Sequence, residues 1–333
     1  MSNGEKVAEF EAALCDYSGA KYCVTASNGT VTLQAALVAL GAGPGWRIAV
    51  PPLTMSATTL AVLNIGAEPK FWDVDPQTWL MAPVPEDITA FMPVSLYGLH
   101  SPWTGEYTVD DAAQTLRRHS GCAFTSLSFQ ASKVLSLGEG GALLTDEEEL
   151  AAKARSYLSL GYRMDASQAR IDPATLKSPT FERHHRYPAI NGRMNDITAT
   201  LGLSKLAYVD ELKQDRALCA AHYRFEVEGC EWLTPQHIPR GWTQDWWTFA
   251  VLCDTPERAT LLADAVVRHG GERPFPAWRL TYQEPFWQRL EYVEHKCPVA
   301  ESLQPRLVQF QTNNVASAEK NAKALRLAIA EMS

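Results

Sequence analysis

The chain has 333 residues, 46% of them hydrophobic and 20% charged, with a net charge of −8. That is material for a large core and more than one domain, while the acidic balance argues against nucleic acid as a bulk partner and no apolar run approaches the roughly 18 residues of a membrane span. The seven cysteines lack CxxC or Cys/His spacing and Met1-Ser2-Asn3-Gly4-Glu5 lacks the features of a signal peptide, so we expect free thiols in a reducing cytoplasm and no metal site.

In chain order, Ser2 and Glu5 form a capping-box pattern, and Val7, Phe10, Leu14 and Tyr17 recur at helical spacing, which predicts a helix over 3–17. Residues 22–26 read as a short buried strand, followed by the turn Ser27-Asn28-Gly29-Thr30 and a helix over 30–41. Further strands are expected at 48–50, 70–73, 92–97, 107–110, 123–129 and 142–145, and a helix over 147–160. A helical pattern over 199–225 bridges to a smaller unit. The alternation predicts an α/β protein with a mostly parallel central sheet flanked by helices and ligands at the carboxyl ends of the strands. We expect a large domain over 1–210 and a smaller C-terminal α+β domain over 211–333. Trp242, Trp246, Trp247 and Phe249 read as a core or domain-interface cluster, and 272–296 as loops over the mouth of the site.

Three features carry chemistry. The turn Ser27-Asn28-Gly29-Thr30 puts bare N–H groups and a hydroxyl at a helix N-terminus, where about half a positive charge stabilises a phosphate; an ordinary Asn-Gly turn is the alternative. Ser128, near the end of a strand, is placed to bond the same phosphate or is a buried serine bonded to backbone. Asp110 and Asp111 point to opposite sides of an extended chain, so one alone can face a ligand. We assign Asp111 that role, with Gln114 nearby, against the alternative of two solvated carboxylates. Lys133 stands among Phe129, Ala131, Val134 and Leu135, where desolvation would depress its pKa, although a surface position is the commoner fate of lysine. Together these groups meet the needs of pyridoxal 5′-phosphate. The amine forms an imine with its aldehyde, the carboxylate keeps its pyridine nitrogen protonated, and the turn holds its phosphate.

This ordered set, with Gly138-Glu139-Gly140-Gly141 and Asn191-Gly192-Arg193-Met194-Asn195-Asp196, resembles the DegT/StrS-type sugar aminotransferases over about residues 5–212. These are fold-type-I pyridoxal phosphate enzymes. The resemblance implies cofactor contacts from Asn28, Gly29, Thr30, Met55, Asp111, Gln114, Ser128 and Lys133, with Lys133 and Asp111 catalytic and Gln114 by the phenolic oxygen. It implies a homodimer in which Asn191 reaches the partner's cofactor phosphate. His185 becomes pocket-lining or structural, and Arg193 holds a donor carboxylate or makes an interface salt bridge. Gly138-Glu139-Gly140-Gly141 shapes the turn after the lysine.

The activity implied is transfer of an amino group from an amino acid, glutamate by analogy, to a keto group of a nucleotide-linked deoxysugar. The chain also departs from these relatives. Met55 stands where they carry an aromatic ring, Gly192 where they carry tyrosine, and Leu116 near their histidine. Between Gly98 and Tyr107 there are only eight residues, too few for a crossover helix of about ten to twelve. An enzyme of the same fold acting on a non-sugar carbonyl compound, or decarboxylating or isomerising an amino acid, is therefore the alternative. A non-catalytic binding protein is disfavoured because both Lys133 and Asp111 are present.

Overall fold

Glu5–Ser18 (α1), Tyr22–Ala26 (β1) and Gly29–Ala39 (α2) follow one another with only short turns between them, so the strand end and the next helix start are forced together. The structure, a computed structural model, describes residues 4–83, 88–162, 185–290 and 296–333. Arg47–Val50 (β2), Ala57–Asn64 (α3), Glu68–Phe71 (β3), Ala90–Phe91 (β4), Gly105–Asp111 (β5), Cys122–Ser128 (β6), Gly141–Thr145 (β7) and Glu148–Leu158 (α4) come next. Asp196–Leu206 (α5) and Val209–Val227 (α6) lead to Leu233–Pro235 (β8), Thr248–Cys253 (β9), Pro256–Arg268 (α7) and Phe275–Pro276 (β10). Pro298–Leu303 (α8), Leu307–Gln311 (β11) and Val315–Met332 (α9) complete the chain.

The first seven strands form one sheet in the order β1-β7-β6-β5-β4-β2-β3. β7 is antiparallel to both of its neighbours, and the remaining pairs are parallel. Two antiparallel steps restore direction, so β1 ends at the same edge of the sheet as β6, β5, β4 and β2. Gly141 opens β7 at that edge, in register with both Ala26 and Ser128. The end of β1, Ser128 and Asp111 are therefore brought to one side of the sheet by topology alone.

Both faces are covered, and the strand residues alternate accordingly. Leu143 of β7 enters a core with Leu33, Leu37, Ile48 and Phe124, under α2 and α4. Its neighbours Ala142 and Leu144 enter the opposite core with Phe10, Leu14, Leu127 and Met194, under α1 and α5. As the edge strand, β1 would otherwise expose unpaired backbone groups. Buried Glu11 accepts from the Thr25 N–H at 2.8 Å and hydroxyl at 2.9 Å, and buried Arg155 donates to the Cys23 carbonyl at 2.9 Å. The two side chains pair bidentately at 3.1 and 2.9 Å, which closes the edge and ties α1 to α4.

A second, antiparallel sheet runs β10-β11-β9-β8. Tyr223, Phe249, Leu262, Phe310 and Leu325 fill the core between it and its helices. α6 joins the two layers: Val209 at its start lies in the core beneath α1 and α5, whereas Cys219, Ala220, Tyr223 and Val227 lie in the core of the small sheet.

Strand positions read from the sequence hold to within two residues except for 92–97. Pro93 cannot donate to a ladder; the regular strand is only Ala90–Phe91, an isolated parallel bridge joins Val94 to Asp111, and the chain then turns through Leu96–Gly98, with Tyr97 at φ 57° and Gly98 at φ 91°. The run over 199–225 is two helices, α5 and α6, and α3 was not anticipated. Ser2 lies outside the described residues, and α1 starts after Gly4 without a side-chain cap. No helix separates Gly98 from β5. Of the described part of 272–296, Phe275–Pro276 is strand β10, Trp278 stacks on Trp247 at 5.5 Å, and Tyr282 and Trp287 pack on Phe71 of β3 at 5.2 and 4.8 Å between ring centroids. Among the described residues no helix is long and apolar enough to cross a membrane.

The Glu11–Arg155 pair generates a stability prediction. Glu11→Ala removes the carboxylate that holds the buried Arg155 guanidinium and the β1 edge, and urea denaturation should show a loss of about 3–5 kcal/mol; a loss under about 1 kcal/mol would contradict the role given to the pair.

Candidate active site

Asn28 ends the turn after β1 and caps α2, its Oδ1 accepting from the Val31 N–H at 3.0 Å while the Thr32 N–H bonds the Asn28 carbonyl at 3.3 Å. The side-chain oxygen that the resemblance implies as a cofactor contact is thus occupied in building the helix terminus. The Gly29 and Thr30 N–H groups have no partner among the described residues, and they stand at the positive end of an 11-residue helix. Space is what selects glycine here. A Cβ on Gly29 would lie 2.9 Å from Ser128 Cβ, and one on Gly141 would lie 2.8 Å from the Asn28 carbonyl carbon and oxygen. Gly141 therefore does more than shape the turn after the lysine, the role expected for it: its bare Cα lets the anion-binding turn lie against β7. Gly138, at φ 82°, does serve that turn. Buried Ser128 presents its hydroxyl beside Gly29 and is met only distantly by the Gln130 N–H at 3.5 Å.

Two acids end β5 and part ways as the pleat requires. Asp110 bonds the Ser95 hydroxyl at 3.0 Å, and burial pushes its pKa up to about 8. Asp111 turns to the cavity, where its Oδ2 accepts from the Thr58 hydroxyl at 2.7 Å and its Oδ1 from the Ala113 N–H at 3.2 Å. Burial raises the Asp111 pKa, and the two donors and the Lys133 charge only partly oppose that.

The Gln114 Oε1 accepts from the backbone N–H of Tyr97. An acceptor must face that donor, so the amide orientation is settled and Nε2 remains as a donor toward the cavity.

Lys133 follows β6 in a loop folded back on itself: the Phe129 N–H bonds Gly140, Ala131 bonds Gly138 and Leu137 bonds the Phe129 carbonyl, at 2.8 to 3.0 Å. Its Nζ lies 4.5 Å from the ring centroid of Trp247. Trp247 stacks on Trp278 at 5.5 Å and donates to the Ser132 carbonyl at 3.0 Å. Burial lowers the Lys133 pKa to about 8; the Asp111 carboxylate works against that shift and the Arg216 guanidinium adds to it.

Asn28, Gly29, Thr30, Met55, Asp111, Gln114, Ser128 and Lys133 all line one cavity of about 620 Å³, with Thr54, Thr58, Trp247 and Trp278. Met55 is 49% exposed at its rim. A second cavity of about 630 Å³ shares Gln130, Ser132, Trp247 and Trp278 with it. His185, Asn191 and Arg193 are not among the lining residues. His185 is exposed, with Nδ1 2.7 Å from the Leu160 carbonyl and its ring 4.4 Å from that of Tyr162. Asn191 bridges to Ser159 and Arg193 to Ala26, while the Gly192 carbonyl accepts from the Ser27 N–H at 2.7 Å.

Sequence reasoning missed Thr58, the donor to Asp111, and assigned Trp247 only to a core or interface. A hydroxyl two residues after Met55–Ser56 was a weak signal for the first; Trp247 lies too far along the chain for any local signal. The residues present fit pyridoxal 5′-phosphate. Two unpartnered N–H groups and a hydroxyl suit its phosphate, a buried carboxylate held by two donors suits its ring nitrogen, an amide donor suits its phenolic oxygen, and a lysine drawn toward neutrality suits its aldehyde.

Residues 1–323 match the DegT/DnrJ/EryC1/StrS aminotransferase family, and the chain belongs to that family. It is similar to the GDP-perosamine synthase of Caulobacter vibrioides, 35% identical over 236 residues that make up 63% of this chain and 58% of that protein. It is also similar to the UDP-2-acetamido-2-deoxy-3-oxo-D-glucuronate aminotransferase of Pseudomonas aeruginosa, 32% identical over 248 residues, 68% of this chain and 64% of that one. The chain thus spans 58% and 64% of the length of these curated relatives. The crystal structure of a DegT/DnrJ/EryC1/StrS aminotransferase from Brucella abortus superposes with a TM-score of 0.81 at 25% identity, covering 97% of this chain and 90% of that one. The fold is that of the fold-type-I pyridoxal phosphate-dependent transferases.

The close approach at Gly141 is directly testable. Gly141→Ala should displace the Asn28–Gly29 backbone and weaken pyridoxal phosphate binding at least about tenfold, roughly 1.4 kcal/mol, by fluorescence titration. Unchanged affinity would show that this contact does not shape the anion site.

Proposed function

We propose that this chain is a pyridoxal phosphate-dependent aminotransferase that moves an amino group from an amino acid, glutamate being the candidate donor, to a keto group on a nucleotide-linked sugar. The observation that carries the reading is the meeting of Lys133, Asp111, Gln114 and the free N–H end of α2 in one cavity. Support for the sugar class comes from the names of the two relatives, one a GDP-sugar synthase and one a UDP-sugar aminotransferase.

Pyridoxal phosphate, when bound, supplies an aldehyde for the donor amine and a ring that withdraws electrons from the adjacent carbon. The chain's own groups do the rest. The Gly29 and Thr30 N–H groups and the Ser128 hydroxyl hold the phosphate. Asp111, fixed by Thr58 and the Ala113 N–H, holds a proton on the ring nitrogen, and that cation in turn favours the ionised carboxylate. Gln114 Nε2 donates to the phenolic oxygen. Lys133 Nζ, with its pKa lowered to about 8 by burial, has an appreciable neutral fraction near physiological pH and moves the substrate's α-proton as general base and then general acid. Trp247 excludes water from one side of that amine.

We further infer a cytoplasmic homodimer in which Asn191 approaches the partner's phosphate turn. His185 and Arg193, which the single chain leaves outside its cavity, would then serve substrate binding from across the interface. The two lobes would divide near residue 210, along α6.

Two substitutions test the assignment. Lys133→Ala should abolish the yellow band of the cofactor-loaded protein, and Asp111→Asn should keep the cofactor but reduce turnover by about a hundred- to a thousandfold. The sugar reading predicts that glutamate converts the loaded protein to its aminated cofactor form and that nucleotide-linked keto sugars convert it back. Discharge by simple keto acids alone would contradict the sugar class.

A further inference from the structure

α6 carries a charged residue on its buried stripe. Arg216 precedes Cys219, Ala220, Tyr223 and Val227 by three, four, seven and eleven positions, and all five are buried, the spacing of one helix face. Among the described residues no carboxylate pairs with it. Nη1 donates to the Trp247 carbonyl at 3.0 Å and to Thr312 Oγ1 at 3.3 Å. Nη2 donates to the carbonyls of Ser132 and Lys133 at 3.2 and 3.1 Å. A guanidinium has the planar fork for two carbonyls at once, which an ammonium lacks. Every bonded acceptor is neutral, so among the described residues the buried charge has no direct ion pair, an arrangement a purely mechanical tether does not require.

The contacts form a closed set around the lysine. Trp247, whose carbonyl Arg216 holds, donates its own Nε1–H to the Ser132 carbonyl at 3.0 Å and places its ring 4.5 Å from Lys133 Nζ. Thr312 donates to the carbonyl of Trp246 or Trp247, at the same junction.

We propose that Arg216 is the positioning residue of Lys133: it clamps the lysine's turn to the small sheet across the joint at α6 and keeps a positive charge close to the amine. Charge repulsion then disfavours the ammonium form, in the same direction as burial and against the attraction of Asp111. Among the described residues the charged groups acting on Lys133 are Asp111 and Arg216, with Glu139 on the wall of the same cavity, and those acting on Arg216 are Asp245 and the thiol of Cys219. Asp245 is itself occupied, by Lys213 at 3.0 Å, the Leu116 N–H at 2.9 Å and His100 at 3.9 Å.

This inference goes beyond the proposed activity, and its first readout is independent of it. In cofactor-free protein, Lys133 is labelled with acetic anhydride across a pH series and the labelled peptide quantified by mass spectrometry. The wild-type midpoint should lie at about 8. In Arg216→Gln, folded by circular dichroism, the midpoint should rise by about one unit, a roughly tenfold loss of neutral amine below the midpoint. A folded Arg216→Gln with the wild-type midpoint overturns the proposal, because a structural tether alone would leave the titration in place.

Arg216→Lys keeps the charge and loses the fork, and it decides the matter should Arg216→Gln not fold. It should retain the low midpoint while capturing pyridoxal phosphate about tenfold more slowly. Wild-type capture in Arg216→Lys, or a midpoint that rises there too, overturns the clamp. A shifted midpoint in a protein that never binds the cofactor would leave this inference standing and sink the proposed function instead.

Discussion

One cavity holds a lysine and a carboxylate that burial drives in the same direction, toward neutrality, and that act on each other while each keeps its own close contacts. Lys133 faces an indole and a buried guanidinium, neither of which can accept a proton from it or neutralise it. Asp111 faces a hydroxyl and a backbone N–H, both donors. Burial pushes the two groups toward their neutral forms, which suits the amine but not the acid. In the proposed function a protonated ring nitrogen against Asp111 would favour the ionised acid.

That separation depends on how the two layers are joined. Trp247 reaches the lysine from the small sheet because residues 245–247 lie flat on the turn Leu96–Gly98. The Asp245 N–H bonds the Gly98 carbonyl at 2.8 Å, and a Cβ on Gly98 would come within 2.7 Å of the Trp246 nitrogen. Tyr97 and Trp246 both take positive φ there, 57° and 49°, at a cost of about 1–3 kcal/mol each. The same turn presents the Tyr97 N–H that orients Gln114. Strain at the joint is thus tied to two walls of the cavity, and buried Asp245 anchors it. Burial would raise the Asp245 pKa, but His100, Lys213 and Leu116 hold it well below the usual carboxylate range.

Much of this was legible before any coordinates. Asp111 could be preferred to Asp110 because β-strand parity is local, and Lys133 could be read from the apolar residues around it. The helix start at Asn28–Gly29 is likewise a local capping pattern. Gly141 was read as a turn residue because glycine in a glycine-rich run signals positive φ; its close approach to Asn28 depends on a strand pairing that no local pattern reveals. Residues 92–97 look like a strand until Pro93 is weighed as a residue without a donor. Trp247 and Thr58 act on residues distant in sequence, and their types also fit an ordinary core. Arg216 did leave a trace, a charge on the apolar stripe of α6, which a reading for helix existence alone passes over.

Lys133 is the residue proposed to join the cofactor. Borohydride reduction of the pyridoxal phosphate-loaded protein, followed by peptide mapping, decides whether it does. One equivalent of reduced cofactor should appear on the peptide containing Lys133 and none elsewhere. Label on another lysine, or a loaded protein that yields no labelled peptide, would contradict it.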